Sequence, residues 1–75
     1  MKYTNPLKNQ YYLLGRRIQH NRIKRGYTQE KLANKVGMSL NYLGFIETGQ
    51  KKPSVDMLLK LANALDVHPK EFWDF

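Results

Sequence analysis

The stretch from Gln29 to Thr48, QEKLANKVGMSLNYLGFIET, limits the fold of this chain more than any other. Its small and apolar residues stand where two helices joined by a tight turn must touch. Leu32, Ala33 and Val36 fall on one face of a first helix. Gly37 follows and can take the positive φ of a sharp turn. Met38 can plug the corner, Ser39 can cap a second helix, and Leu43 and Ile46 supply that helix's inner face. Ala33 is small where the second helix crosses. A pair of this kind leaves the outer face of its second helix uncovered.

The flanking residues extend the same pattern. A first helix is expected from near Gln10 to Arg25, stopped at Gly26, after a flexible basic arm at residues 1–9 in which Asn5-Pro6 opposes regular structure. Thr28 caps the next helix, which ends at Gly37, and Ser39 caps the third, which ends at Gly49. Ser54 caps a fourth helix with Val55, Leu58, Ala62 and Leu65 on its inner stripe, and Pro69 suits the first turn of a last short one. No alternating strand pattern, internal repeat or low-complexity segment occurs. The fold class expected is all-α, with the domain at residues 10–75.

The pieces LGRRI, RGYTQEKLA, KVGMS, YLGFIETGQKKPS and LLKLANALDV occur in order and at family spacing. From about Leu14 to Phe72 the chain resembles the Cro and phage-repressor type of helix-turn-helix domain, also called the xenobiotic-response-element family. The resemblance implies a compact bundle of four or five helices, lambda-repressor-like, that binds operator DNA, usually as a dimer.

Charge is distributed to match. Residues 1–52 hold 11 Lys or Arg against Glu30 and Glu47, a net of +9, whereas residues 53–75 hold Lys60 and Lys70 against Asp56, Asp66, Glu71 and Asp74, a net of −2. The helix pair lies in the basic part, as a phosphate-facing surface requires. The chain has no cysteine, so neither a disulfide nor a thiolate metal site is available. No run approaches the roughly 20 apolar residues of a membrane span, and no signal-peptide pattern opens the sequence, so a cytoplasmic, nucleoid-associated protein is expected.

No catalytic set emerges. His20 and His68 lack metal-ligand spacing and read as a surface residue and a cap or surface residue, and Ser39 and Ser54 read as helix caps. No GxxxxGK[ST] or GxGxxG is present to cradle a nucleotide. No enzyme activity, metal, cofactor or small-molecule ligand is expected.

The DNA-facing candidates fall into two groups. Base readout is expected from Leu40, Asn41, Gly44 and Phe45 on the outer face of the third helix. Asn41 can pair with adenine N6 and N7, Leu40 and Phe45 can meet thymine methyls, and Gly44 lets the backbone come close. This apolar set departs from the family, which commonly has Arg, Gln, Lys or Ser at several of these places. Backbone contacts are expected from Thr28, Gln29, Ser39, Tyr42, Thr48, Lys51 and Lys52, with Lys2 and Lys8 reaching along the DNA from the arm. The phosphate contact of Gln29 is implied by the family resemblance. For Tyr42, hydroxyl contact with a phosphate and packing of the ring are equal alternatives.

Two further groups belong to structure and assembly. Leu14, Ile18 and Arg22 share one stripe of the first helix, and Leu43 and Glu47 share the inner side of the third, so Arg22 and Glu47 face inward from separate helices and call for pairing. The family resemblance likewise implies a structural ion pair there. Phe72, Trp73 and Phe75 are candidates for a dimer contact as well as for the core. The function expected is a sequence-specific DNA-binding transcriptional regulator, a repressor, acting as a homodimer on double-stranded DNA. The alternative is a protein-interaction module or antitoxin-like partner using the same fold.

Overall fold

Local capping chemistry divides the chain into helices. The computed structural model describes residues 6–73, and their side chains from Gln10 onward. Four α-helices, α1 (Pro6–Lys24), α2 (Gln29–Val36), α3 (Leu40–Glu47) and α4 (Val55–Leu65), precede a 3-10 turn at Pro69–Phe72. Thr28, Ser39 and Ser54 each accept a hydrogen bond from the backbone N–H three residues on, at 3.0, 3.1 and 3.1 Å. His68 caps the 3-10 turn in the same spirit, its Nδ1 accepting from the Lys70 N–H at 3.1 Å.

All four helices end alike. The N–H groups of Tyr27, Met38, Gln50 and Val67 reach back to the carbonyls of Arg22, Ala33, Phe45 and Ala62 at 2.9–3.1 Å. That closure requires a left-handed residue just before each donor. Gly37 supplies it between α2 and α3 with φ 78°. After α4 the position falls to Asp66, at φ 56°, where an L side chain is uncommon.

One boundary and one helix face differ from expectation. α1 starts at Pro6 rather than near Gln10, because proline opposes a helix only in its interior and fits the first turn, where its missing N–H has no partner to lose. Residues 6–9 are therefore helical rather than part of an arm, and the remainder of the arm lies outside the described residues. On α4, Val55 is 70% exposed instead of facing inward, and the buried stripe is Leu58, Leu61, Ala62 and Leu65. Val55 is the first helical residue, one turn before the first buried residue of the stripe, Leu58.

The core gathers Leu14, Ile18, Leu32, Ala33, Leu43, Ile46 and Phe72 with the α4 stripe. α1 packs on α3 and the 3-10 turn, while α2 packs on α3 and α4. Gly15 is buried where α1 crosses the end of α3, and a Cβ there would overlap the backbone oxygen of Ile46 and stand 2.7 Å from that of Glu47. Glycine therefore sets how deeply α3 seats. Among the described residues no helix is long and apolar enough to cross a membrane.

Candidate nucleic-acid interface

The turn Gly37–Ser39 fixes α3 against α2. Both Gly37 and Met38 donate backbone N–H groups to the Ala33 carbonyl, at 2.9 and 3.0 Å, and Met38 packs against the core. Leu43 and Ile46 are sealed inside on one side of α3. The opposite side is left bare. Leu40 and Phe45 are 45% and 41% exposed, and Asn41 is exposed beside them. Gly44 is half-buried, but a Cβ built on it would meet no other atom within 4 Å. The four residues expected to read bases thus lie on one open face of a helix that its inner face locks in place.

The two helix starts offer polar ends. Thr28 Oγ1 and Ser39 Oγ accept from the N–H groups of Lys31 and Tyr42, and the Thr28 and Ser39 carbonyls take those of Leu32 and Leu43. The N–H groups of Gln29 and Glu30, and of Leu40 and Asn41, precede these bonds and have no place in the helical ladder. Such N–H groups, at the positive end of the helix dipole, suit an anion. After α3, the N–H groups of Gln50 and Lys51 both fold back on the Phe45 carbonyl, at 2.9 and 3.2 Å, and the Lys51 and Lys52 side chains stand exposed.

Beyond the two caps, three more of the expected backbone contacts have partners within the fold. The Tyr42 ring is half-buried against the core, and its hydroxyl makes a long 3.5 Å contact to the Lys52 carbonyl, so packing is its first role. The Thr48 hydroxyl bonds to the carbonyls of Gly44 and Phe45, at 3.1 and 3.3 Å, and accepts from Gln50 Nε2 at 2.9 Å, which ties it to the helix end. Gln29 donates its side-chain amide to Glu47 Oε1 at 2.9 Å. Nothing in sequence spacing signals this last bond, because Gln29 is uncharged and only half-buried, so no enclosed charge on it calls for a partner.

Arg22 and Glu47 meet in the interior. Arg22 Nε lies 2.7 Å from Glu47 Oε2 and Nη2 lies 3.2 Å from Oε1, with 9% and 0% of the two side chains exposed. The third guanidinium nitrogen donates to the Tyr27 carbonyl at 2.8 Å. Neither charge is left without a partner, and no buried side-chain nitrogen or oxygen among the described residues lacks one.

The aromatic C-terminus is divided. Phe72 is fully buried and belongs to the core, so it has no surface to offer a dimer contact. Trp73, the next residue, is 43% exposed. Phe75 lies outside the described residues, as do the side chains of Lys2 and Lys8. Among the described residues no group of His, Asp or Glu is placed to hold a metal.

Two short helices held at a fixed turn, with the second presenting a bare outer face beside free N–H groups and lysines, define a helix-turn-helix domain. The helix-turn-helix family HTH_3 matches residues 18–72, and the chain belongs to this family, of the Cro and phage-repressor type. It is 40% identical over 57 residues to YazB of Bacillus subtilis, an uncharacterized HTH-type transcriptional regulator, across 76% of this chain and 83% of that one. It is 39% identical over 56 residues to the B. subtilis regulator SinR, across 73% of this chain but only 50% of SinR. Among solved structures, the restriction-modification controller protein C.AhdI from Aeromonas hydrophila matches with a TM-score of 0.82 at 38% identity, covering 85% of this chain and 97% of that one. SinR in complex with DNA matches with a TM-score of 0.72 at 36% identity, covering 76% and 92%.

Proposed function

We propose that this chain is a transcriptional repressor that binds a specific DNA operator by inserting α3 into the major groove. The observation that carries this reading is the bare face of Leu40, Asn41, Gly44 and Phe45 on a helix fixed by its other side. Asn41 supplies a bidentate partner for adenine, and Leu40 and Phe45 supply apolar surface for thymine methyls, so A·T pairs are favoured. Thr28, Ser39 and the free N–H groups of α2 and α3 meet phosphates, joined by Lys51 and Lys52. The net +9 of residues 1–52 and the DNA-bound relative SinR support the same reading. No step requires a cofactor or a reaction.

Titrating a random duplex library from low to near-physiological salt tests this. Affinity should fall steeply, with a log–log slope near 0.9 per phosphate neutralised. Binding that is flat in salt, or absent at low salt, overturns it. The exposed Leu40 and Phe45 favour one second reading, a protein-binding face on α3, which that negative result would select.

The regulator acts as a homodimer, which sets two recognition helices about 34 Å apart for half-sites one turn apart. Trp73 supplies an exposed aromatic in the acidic part of the chain.

A further inference from the structure

We propose that Glu47 is a positioning residue for DNA binding: through Gln29 it fixes the first turn of α2 for its phosphate. This inference rests on the DNA-binding reading above and deepens it. Glu47 ends α3, Arg22 lies on α1, and Gln29 opens α2. Glu47 Oε2 takes Arg22 Nε at 2.7 Å, and Oε1 takes Arg22 Nη2 at 3.2 Å and Gln29 Nε2 at 2.9 Å. Arg22 Nη1 holds the Tyr27 carbonyl at 2.8 Å. The residues on both sides of the cap Thr28 are therefore clamped to one ion pair, and that pair spans α1 and α3.

The clamp orders a side chain that would otherwise be mobile. Gln29 is only half-buried, yet its amide nitrogen is fixed by a carboxylate that is fully enclosed. A charged acceptor makes this a stronger bond than one to a neutral oxygen. The amide nitrogen carries two hydrogens, and Glu47 takes one. The second, together with the Gln29 backbone N–H, meets the phosphate. A donor already held in place loses little freedom when DNA binds. Glu47 touches no DNA, but the position of Gln29 depends on it.

The bond to Glu47 also limits what Gln29 can do. Were the side chain to swing outward on binding, the Glu47 carboxylate would lose a hydrogen bond in the interior, which is costly. The contact is therefore made with the clamp closed.

A double-variant cycle on the full chain tests this, using a duplex selected by the wild-type protein. Gln29→Ala should weaken binding on the order of tenfold, as loss of a hydrogen bond to a charged group does. In the Arg22→Met/Glu47→Leu background, which replaces the ion pair with apolar groups, the same change should cost about twofold or less, because the pair has lost its coupling. Equal losses in both backgrounds overturn the positioning role while leaving DNA binding intact. A wild-type protein that selects no duplex overturns the DNA reading itself.

Nitrogen-resolved NMR of the wild-type side-chain amides keeps the inference falsifiable should the double variant not fold. One Gln29 amide hydrogen should be protected from exchange in the free protein and stay so on DNA, with the second gaining protection. Loss of the first on binding DNA shows that the clamp opens, and overturns the inference.

Discussion

Gly15 on α1 lies against the last residue of α3 so closely that a Cβ on it would stand 2.7 Å from the Glu47 carbonyl oxygen. The same Cβ would also overlap the Ile46 oxygen, so the obstacle is backbone and cannot rotate aside. α1 and α3 therefore cross at the distance a hydrogen atom allows. That distance brings Arg22 within reach of Glu47, two turns further along α1.

Gly15→Ala should destabilise the fold by about 1–3 kcal/mol as an overpacked crossing, despite alanine's gain of about 1 kcal/mol in helix propensity. Urea melts measure the difference. A variant as stable as wild type would show that the crossing can widen freely.

Gly44→Ala should do the reverse. The added methyl meets nothing within 4 Å, so stability should rise by about 0.5–1 kcal/mol through propensity alone. Because this glycine lies on the face assigned to the groove, affinity for the selected duplex should fall. A rise in both stability and affinity would place the DNA elsewhere.

Arg22→Met alone or Glu47→Leu alone should each cost about 3–5 kcal/mol, since either leaves an enclosed charge unpaired. The double change should recover much of the loss. Chemical denaturation of the four proteins completes the cycle. Additive losses would mean that the 2.7 Å contact contributes nothing as a pair.

Asn41→Ala should cost about 1–3 kcal/mol on the best duplex and relax preference at one adenine. Phe45→Ala should blur the distinction between thymine and uracil, which lacks the methyl. Both side chains are exposed, so neither change should lower the melting temperature much. Selection of bound sequences by each variant is the measurement. Unchanged sites and affinities would remove α3 from readout.

Trp73→Ala should weaken self-association without unfolding the chain, whereas Phe72→Ala should cost about 3–5 kcal/mol as a core deletion. Sedimentation and thermal melts separate the two. A dimer unaffected by Trp73→Ala would move the interface to another surface.

The sequence by itself determined the elements of this protein, because caps and periodicity act between near neighbours. Thr28, Ser39 and Ser54 each bind an N–H three residues away, and Gly37 serves its own turn. The inward faces of Arg22 and Glu47 follow from helical spacing, and opposite charges facing inward have few ways to be satisfied. What lies across an interface was decided only by the tertiary structure. Phe72 and Trp73 are adjacent in sequence and both aromatic, yet one is fully buried and the other 43% exposed, because the 3-10 turn offers a single side to α1 and α4. Leu61 is buried and Val55 exposed because the packed neighbours, not the α4 pattern alone, set the width and end of the stripe. Gln29 bonds to Glu47 because three helices converge there, and no spacing within one helix records that meeting.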